Sequence, residues 1–299
     1  MKTLFIINPC AGQGKGIDQL IKKINSTDAE IYITKSVGDA EVFVREYCKQ
    51  NTPVRFIACG GDGTLNEVLN GAFGKDNVEI GVLPIGTGND FCRNFSKNFS
   101  DIESLINGIT VKCDAIRYTT GGTTRYCANM FNIGFDCNVA DMTATMKKKP
   151  FISGSVAYFI SILVNLIKKK GASLKIEIDG KLFYSGPLLL TALANGKFCG
   201  GGIMSNPLAD ISDGKININI IRNVSRLRFL TLLPLYIKGT HIKKQGLENI
   251  IQILDCKKVV LTPLSADMKL CCDGEIQSAG KTEFEVIPAA FNFVIPSKL

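Results

Sequence analysis

Three apolar segments, each followed by a glycine-rich loop, constrain the fold of this chain more than any other feature. The segments are residues 4–7, 54–59 and 80–83, and apolar residues at helical spacing come after each loop. The last of these helices is predicted over 102–109. Repeated strand–loop–helix units indicate a parallel sheet with helices on both faces. We therefore expect an α/β domain with a parallel sheet over residues 1–120.

The periodicity changes after about residue 115, where apolar residues begin to alternate with polar ones. Alternating strand patterns lie at 174–178, 216–220 and 284–286. Asp179-Gly180 directly follows the first of them and is a strong hairpin signal. The second half of the chain is therefore predicted to be β-rich.

The length of 299 residues exceeds the size at which one hydrophobic core usually stops growing, so we expect two domains. The second is predicted to be a β-sandwich over 121–287. Helical insertions are predicted near 154–170 and 224–238. We expect the tail, residues 288–299, to pack back onto the first domain.

The formal net charge is +8, and much of the excess lies in short lysine runs. A basic surface attracts anionic lipids, phosphorylated ligands or nucleic acids. No motif of interleaved aromatic and basic residues accompanies the runs, so nucleic acid is not expected as a partner. The alternative is that each run is simply a solvated face. The runs are residues 147–149, 168–170, 243–244 and 257–258.

The chain has 11 cysteines and one histidine, and no two cysteines form a C-x-x-C pair. This pattern argues against structural zinc and favours a reducing cytoplasm. His241, the single histidine, is predicted to lie at the surface. A Ser-His or Cys-His mechanism is therefore excluded as the main chemistry.

The apolar stretches are too short to span a bilayer. Residues 156–167 fall short of the ~20 apolar residues that a transmembrane helix needs. Residues 4–7 are likewise too few for a signal peptide. Residues 229–237 are interpreted as a helix packed in the core, with a helix lying on a membrane as the alternative. Any contact with a membrane is therefore expected to be peripheral.

The main candidate for chemistry is the loop Gly60-Gly61-Asp62-Gly63-Thr64, between a strand and a helix. Glycines let the backbone approach phosphate groups, and the N-terminus of the following helix favours anions. Asp62 would repel phosphate unless a cation lay between them, which indicates magnesium. The alternative is a plain connection between two elements.

A second loop, Pro84-Ile85-Gly86-Thr87-Gly88-Asn89-Asp90, follows the next strand. The Thr87 hydroxyl and the free amides suit phosphate oxygens, while Asn89 and Asp90 could order the loop or the nucleotide. The alternative reading of this stretch is a helix N-cap. The loop at 8–16 lacks the ending of a Walker A motif, and Thr34 stands where a dinucleotide-binding fold would place an acidic ribose ligand.

Two acidic turns in the second half of the chain are further candidates. The turn Asp210-x-x-Asp213-Gly214 offers carboxylate and carbonyl oxygens, which suit a hard cation. Asp273-Gly274 follows the strand-like segment that ends at Cys272. Each could also be an ordinary turn between two strands. Their presence alongside two phosphate-type loops favours a role in the same site.

The order of these motifs resembles the diacylglycerol kinase catalytic-domain family, in particular its soluble bacterial lipid kinases. N-P-x-A-G at 8–12 and T-x-x-x-G-D-A at 34–40 precede G-G-D-G-T-L-N-E and P-x-G-T-x-N-D, and D-G-E follows at 273–275. G-G-D-G-T is also found in NAD kinases and 6-phosphofructokinases, but the D-G-E motif and the N-D ending favour the lipid kinases. The resemblance covers essentially the whole chain and implies an N-terminal domain like that of NAD kinase or phosphofructokinase.

The resemblance implies a kinase that uses ATP and Mg²⁺. Asp273 would be the general base for the lipid hydroxyl, supported by Glu275, with Asp62 as the rival base. The residues implied to line the ATP site, with Asn89 and Asp90 added from the loop itself, are Asn8, Pro9, Cys10, Ala11, Gly12, Thr34, Gly60, Gly61, Asp62, Gly63, Thr64, Leu65, Asn66, Thr87, Asn89 and Asp90.

The resemblance also implies a magnesium site in the second half of the chain. Asp213 would bind the ion through its carboxylate, and Asp210 and Lys215 would add backbone carbonyls. Asp62 would join the same ion through ordered water.

The acceptor implied by the resemblance is diacylglycerol, with phosphatidic acid as the product of phospholipid biosynthesis. The alternatives are another acceptor on the same fold (a sphingoid base, phosphatidylglycerol or NAD) or a non-catalytic sensor of nucleotide or lipid. The implied location is the cytoplasm, in peripheral contact with the inner face of the membrane. Because family members are often dimers, a homodimer is compatible with this resemblance.

Overall fold

The computed structural model describes residues 1–14, 16–147, 161, 164, 171–266 and 268–297. The helices in this part of the chain are α1 (Ile17–Ile24), α2 (Asp39–Tyr47), α3 (Asp62–Ala72), α4 (Ile102–Ile106), α5 (Phe135–Lys147) and α6 (Arg226–Ile237). The strands are β1 (Lys2–Ile7), β2 (Glu30–Ile33), β3 (Val54–Gly60), β4 (Val78–Pro84), β5 (Ile109–Thr120), β6 (Thr123–Cys127), β7 (Met130–Gly134), β8 (Ala172–Ile178), β9 (Lys181–Ala194), β10 (Ile216–Arg222), β11 (Ile251–Cys256), β12 (Lys258–Pro263), β13 (Met268–Cys272), β14 (Glu275–Ala279) and β15 (Thr282–Ile295).

The first part of the chain forms a parallel sheet in the order β2-β1-β3-β4. Every residue of β3 is buried, as expected for a strand with both faces covered by helices. Phe5, Ile57 and Leu69 belong to the core between this sheet and its helices. The predicted α/β domain with a parallel sheet is confirmed.

The second part is dominated by antiparallel pairing, as the alternating patterns predicted. The hairpin between β8 and β9 turns at Asp179 and Gly180, and Ile178 pairs with Lys181. Both turn residues have positive φ angles, 46° and 80°, which this tight type of hairpin turn requires. A separate core that includes Phe131 and Ile218 fills the β-rich part, so the predicted C-terminal sandwich is confirmed.

Two long strands connect the two parts. β5 and β15 pair antiparallel from Thr120 and Thr282 at one end to Ile109 and Ile295 at the other. The register shifts between Ile287 and Phe291. Beyond this irregularity β15 also pairs in parallel with β4, so the end of the chain extends the N-terminal sheet.

The predicted helix over 102–109 is too long. α4 ends at Ile106, and Ile109 already begins β5. Gly108 turns the chain where its backbone lies against the last strand, since a Cβ at this position would lie 2.5 Å from the carbonyl oxygen of Ile295. Ile109 fits the helical spacing of the sequence but is 64% exposed at the start of β5, so its apolar character does not reflect packing in the core.

The helix predicted near 224–238 is confirmed as α6. Phe229, Leu232 and Tyr236 are buried, as the core-packing interpretation of this segment predicted. The opposite face differs, because Leu227 is 78% exposed and Leu230 is 46% exposed. The helix predicted near 154–170 lies outside the described residues, apart from Ser161 and Val164. No helix in the described ranges is both long and apolar enough to cross a membrane.

The prediction that His241 lies at the surface is wrong. The side chain is buried, in contact with the ring of Tyr236 on α6. Its Nε2 atom lies 3.4 Å from the side-chain amide of Asn219. Burial lowers the pKa of His241, so a neutral imidazole packs here as part of the interior.

Candidate active site

The glycine loops meet at the carboxyl-terminal edge of the parallel sheet, in direct backbone contact. A Cβ at Gly86 would lie 2.4 Å from the Cα of Gly61, so the loops after β3 and β4 touch. Gly12 has a φ of 58°, and a Cβ there would lie 2.7 Å from the carbonyl oxygen of Ile85. Only glycine permits both approaches. The three loops that the sequence singled out therefore form one surface.

A side-chain hydrogen bond joins the loop after β1 to the loop after β3. The Asn8 amide donates to the Thr64 hydroxyl over 3.3 Å. A Cβ at Gly60 would lie 2.1 Å from the same hydroxyl, so Thr64 packs into space that glycine leaves free. These contacts bring together residues that the sequence assigned to the ATP site. Thr87 and Cys10 are exposed beside them.

The Asp62 carboxylate ties the two central loops together. It accepts hydrogen bonds from the backbone N–H groups of Asp90 and Phe91, each over 3.1 Å. Asp62 is also the first residue of α3, where the helix N-terminus stabilises negative charge. The acidic residue of the predicted phosphate loop is therefore rigidly held.

Asp90 joins the second loop to the C-terminal part. Its buried carboxylate accepts a hydrogen bond from the Gly201 N–H over 2.9 Å, and Arg93 lies 3.4 Å away. Burial raises the pKa of Asp90 to about 6, opposed by the Gly201 hydrogen bond and reinforced by the charge of Asp62. Asn89, with a φ of 56°, donates to the Gly86 carbonyl over 2.8 Å. Both side chains order the loop in this structure.

Asp273 lies in the turn after β13 with a φ of 45°. Its Oδ1 accepts a hydrogen bond from the Met130 N–H over 2.9 Å, and the Cys127 thiol donates to its Oδ2 over 3.2 Å. Burial raises the pKa of Asp273 to about 7, against the Met130 hydrogen bond and with the help of the Asp62 charge. The charge of Asp62 thus contributes to the raised pKa of a carboxyl that is distant in sequence.

Glu275 also approaches the loop region. A Cβ at Gly63 would lie 3.2 Å from Oε1 of Glu275, which puts this carboxylate next to the N-terminus of α3. Burial raises the pKa of Glu275, and the charge of Glu67 raises it further while Arg125 lowers it. All three acidic groups assigned to catalysis therefore lie around one site.

The turn predicted to bind metal forms a carboxylate group of its own. Asp213 accepts a hydrogen bond from the Lys215 N–H over 3.0 Å, and Asp210 accepts from the N–H and hydroxyl of Ser212. Burial raises the pKa of Asp213, and the charges of Asp255 and Asp210 raise it further while Lys215 lowers it. The side chain of Lys215 lies 3.5 Å from Asp255 in β11 and so joins the turn to that strand. The link from Asp213 to Asp62 stays a prediction.

Asp114 in β5 is a functional candidate that the sequence reasoning missed. This buried carboxylate accepts hydrogen bonds from the Gly214 N–H over 2.6 Å and from the Ala289 N–H over 2.8 Å. It therefore holds the acidic turn to the irregularity in β15. The sequence did contain a signal for this role, a single aspartate inside the apolar run from Cys113 to Ile116. A carboxylate buried in such a run needs hydrogen-bond partners from elsewhere in the chain.

Two residues assigned to the ATP site direct their side chains away from it. Leu65 is buried in the core of the first part. Asn66 donates to the Tyr126 carbonyl over 3.1 Å and so connects α3 to β6. Thr34 is also buried. The side chains of Leu65 and Asn66 therefore serve the interior of the protein in this structure.

Comparisons with known proteins agree with this geometry. The model of the diacylglycerol kinase catalytic domain matches residues 2–118, and the model of the YegS C-terminal NAD kinase beta sandwich-like domain matches residues 129–295. Together the two models indicate a kinase of the lipid kinase family. The chain belongs to the diacylglycerol kinase catalytic-domain family, in the form that carries the YegS C-terminal domain.

Individual relatives cover the chain from end to end. A protein of Bacillus subtilis named diacylglycerol kinase is 28% identical, over 99% of this chain and 97% of that protein. The crystal structure of a diacylglycerol kinase from Bacillus anthracis covers 99% of this chain and 97% of its own, with a TM-score of 0.70 and 20% identity. Yeast NADH kinase, solved with NADH, matches with a TM-score of 0.51 and 12% identity, over 100% of this chain and 84% of its own. The two structures show the fold alone.

Proposed function

We propose that this protein transfers the γ-phosphoryl group of ATP to the hydroxyl of a membrane lipid, with diacylglycerol as acceptor and phosphatidic acid as product. The observation that carries the proposal is the position of Glu275, two residues after Asp273 in the β-rich part, against Gly63 of the glycine loop that carries Asp62. The charge of Asp62 also contributes to the raised pKa of Asp273. The acceptor is supported by the name of the Bacillus subtilis relative. Phosphoryl transfer needs this arrangement, with phosphate-binding loops beside a group that takes a proton.

The glycine loops would hold the phosphates of ATP. The close contact between Gly61 and Gly86 creates a surface of backbone atoms without side chains. The amides at the start of α3 add a favourable dipole for anions. Exposed Thr87 supplies a hydroxyl at the same edge. Positioning of this kind provides much of the catalysis in phosphoryl transfer.

Asp273 would take the proton from the lipid hydroxyl as the hydroxyl oxygen attacks the γ-phosphorus. A pKa of about 7 suits this role, because a base is most effective when its pKa lies near the working pH. The Met130 N–H and the Cys127 thiol fix the direction of its two oxygens. Asp62 is less suited to take this proton, because both of its oxygens already accept hydrogen bonds from backbone amides of the loop after β4.

The acidic turn fits a magnesium ion. The Asp213 carboxylate and the backbone carbonyls of the turn are hard oxygen atoms of the kind that Mg²⁺ prefers. The charges of Asp210 and Asp255 raise the pKa of Asp213, and a divalent cation would relieve this repulsion. When bound, Mg²⁺ neutralises the charge of the phosphates. Asp213 would hold it through its carboxylate, with the carbonyls of Asp210 and Lys215.

The outer face of α6 would place the protein on the membrane. Leu227, Leu230 and Ile237 are exposed by 78%, 46% and 37% on a helix whose other face is buried. Arg228 and Lys238 are exposed beside them. Apolar side chains flanked by cations are typical of helices that lie at the surface of anionic membranes. This contact would be peripheral, at the inner face of the cell membrane.

The proposal is tested with radiolabelled ATP, Mg²⁺ and the purified protein. Separate vesicle preparations contain diacylglycerol, phosphatidylglycerol or a sphingoid base, and NAD is offered in solution. Labelled phosphatidic acid as the main product supports the proposal. Preferential labelling of another acceptor would overturn the choice of diacylglycerol, and tight ATP binding without any labelled product would indicate a sensor.

A matched variant connects the activity to the site. Asp273→Asn keeps the shape of the side chain and removes the base, so turnover should fall by about 10²–10⁴ while ATP binding persists. In the wild type, kcat/KM should rise with pH and level off above about 7, because the protonated carboxyl cannot accept a proton. Near-normal turnover in the variant would remove Asp273 from the role of base.

A further inference from the structure

Two thiols lie against the Asp273 carboxyl, and the mechanism proposed above gives them no chemical step. Cys127 ends β6 and Cys272 ends β13. Their sulfur atoms and a carboxylate oxygen of Asp273 all lie within 4.8 Å of one another. Within the described ranges, no other group of three such side chains comes together in this way. The spacing along the chain concealed the group, since Cys127 and Asp273 are 146 positions apart.

The distances suit a tetrahedral metal ion. With Zn–S bonds of about 2.3 Å and Zn–O bonds of about 2.1 Å, ligand atoms around zinc lie roughly 3.6 Å apart. The Cys127 sulfur is already 3.2 Å from the Asp273 Oδ2. Small side-chain rotations would bring all three atoms to one centre. Thiolates favour soft cations and disfavour Mg²⁺, so the group discriminates against the ion that ATP carries.

Access to the group is from the site itself. Cys127 is fully buried and Cys272 almost so, whereas Asp273 is partly exposed. An ion would therefore meet the carboxylate first and the sulfur atoms behind it. The other adjacent pair, Cys137 and Cys271, shares a hydrogen bond but has no carboxylate in such a group.

We infer that Cys127, Cys272 and Asp273 form a binding site for a soft divalent cation such as Zn²⁺, and that the bound ion inhibits the enzyme. Binding forms two metal–sulfur bonds and one metal–oxygen bond, and the two thiol protons, together with the carboxyl proton wherever Asp273 is protonated, leave to solvent. A water molecule completes the coordination. Inhibition, which rests on the proposed function, follows because a carboxylate oxygen bonded to the ion cannot take the proton of the acceptor. Binding of the ion does not depend on that function.

The test of binding uses Co²⁺ as a spectroscopic substitute for Zn²⁺ in the full-length protein. The wild type should bind about one ion with a near-ultraviolet thiolate-to-metal charge-transfer band, and Zn²⁺ should displace it. C127S and C272S should each remove about half of the band and weaken Zn²⁺ binding by about 100-fold or more, since a ligand matters more than its outer-shell partners. C256S, which changes a buried thiol bonded to the Ile216 carbonyl, is the matched control and should leave both unchanged.

A measurement on the wild type alone covers the case in which a variant does not fold. The ¹¹³Cd NMR shift of the bound ion reports whether two sulfur atoms ligate it. A shift typical of two sulfur ligands supports the site, and a shift typical of oxygen ligands alone overturns it. An unchanged Co²⁺ band in folded C127S and C272S would overturn it equally.

Inhibition is measured separately, as the Zn²⁺ concentration that halves the turnover of each protein at fixed Mg²⁺ and ATP. The concentration should rise in C127S and C272S relative to their own metal-free rates and should stay the same in C256S. Equal inhibition in all four proteins would overturn the inhibitory role. Metal binding in a protein that phosphorylates no acceptor would instead contradict the proposed function and leave the metal site standing.

Discussion

Replacing Asp273 by asparagine should stabilise the protein increasingly as the pH rises. The pKa of this carboxyl is raised from 3.8 to about 7, so the folded state holds a proton that the unfolded chain releases. Folding stability therefore decreases as the pH increases from about 4 to about 7, since the unfolded state binds fewer protons throughout that window. Asparagine does not titrate and is free of this penalty.

The size of the effect follows from the two pKa values. The difference of about three pH units corresponds to about 4 kcal/mol above pH 7. At pH 5 only about 1.5 kcal/mol of this penalty has developed. The free energy of unfolding of D273N relative to the wild type should therefore increase by about 2–3 kcal/mol between pH 5 and pH 8. The absolute offset also includes the weakened hydrogen bonds from Met130 and Cys127.

Urea denaturation followed by circular dichroism at pH 5, 6, 7 and 8 measures this difference. D28N, which changes an exposed aspartate, is the control and should stay within about 0.5 kcal/mol of the wild type at each pH. A constant difference between D273N and the wild type would refute the raised pKa. A difference that widens toward low pH would refute the sign of the argument.

Three further changes test the packing around the site. G60A should abolish ATP binding in a titration with a fluorescent ATP analogue, because the added Cβ would lie 2.1 Å from the Thr64 hydroxyl, and wild-type affinity would contradict this contact. D114A should lower the free energy of unfolding by about 2–4 kcal/mol, as two hydrogen bonds to a buried carboxylate are lost, with D114N intermediate. R125Q breaks an ion pair with Glu41 on a partly exposed surface, so urea denaturation should show a loss below about 1 kcal/mol, and a larger loss would mean that this pair holds the two parts together.

Local patterns in the sequence determined the elements of the fold. The strand at 54–59, the helix at 65–72 and the hairpin at Asp179-Gly180 were all predictable from spacing and turn residues. Each of these elements depends on residues within a few positions of one another. Burial of one face of a helix or strand sets the spacing of its apolar residues along the sequence. The motifs were also sufficient to indicate the family, because glycine loops at strand ends leave a recognisable order of residues.

Tertiary packing alone decided which residues meet. The effect of the Asp62 charge on Asp273, the bracing of the acidic turn by Asp114 and the burial of His241 have no signature in local spacing. The two thiols beside Asp273 likewise have no signature in local spacing. Cys127 and Cys272 come together only when β6 and β13 take their places in the sheet. The periodicity of a sequence indicates whether a side chain faces the interior. Which residues surround that side chain, and therefore the pKa of a buried carboxyl such as Asp273, depends on pairing between strands that are far apart in the chain.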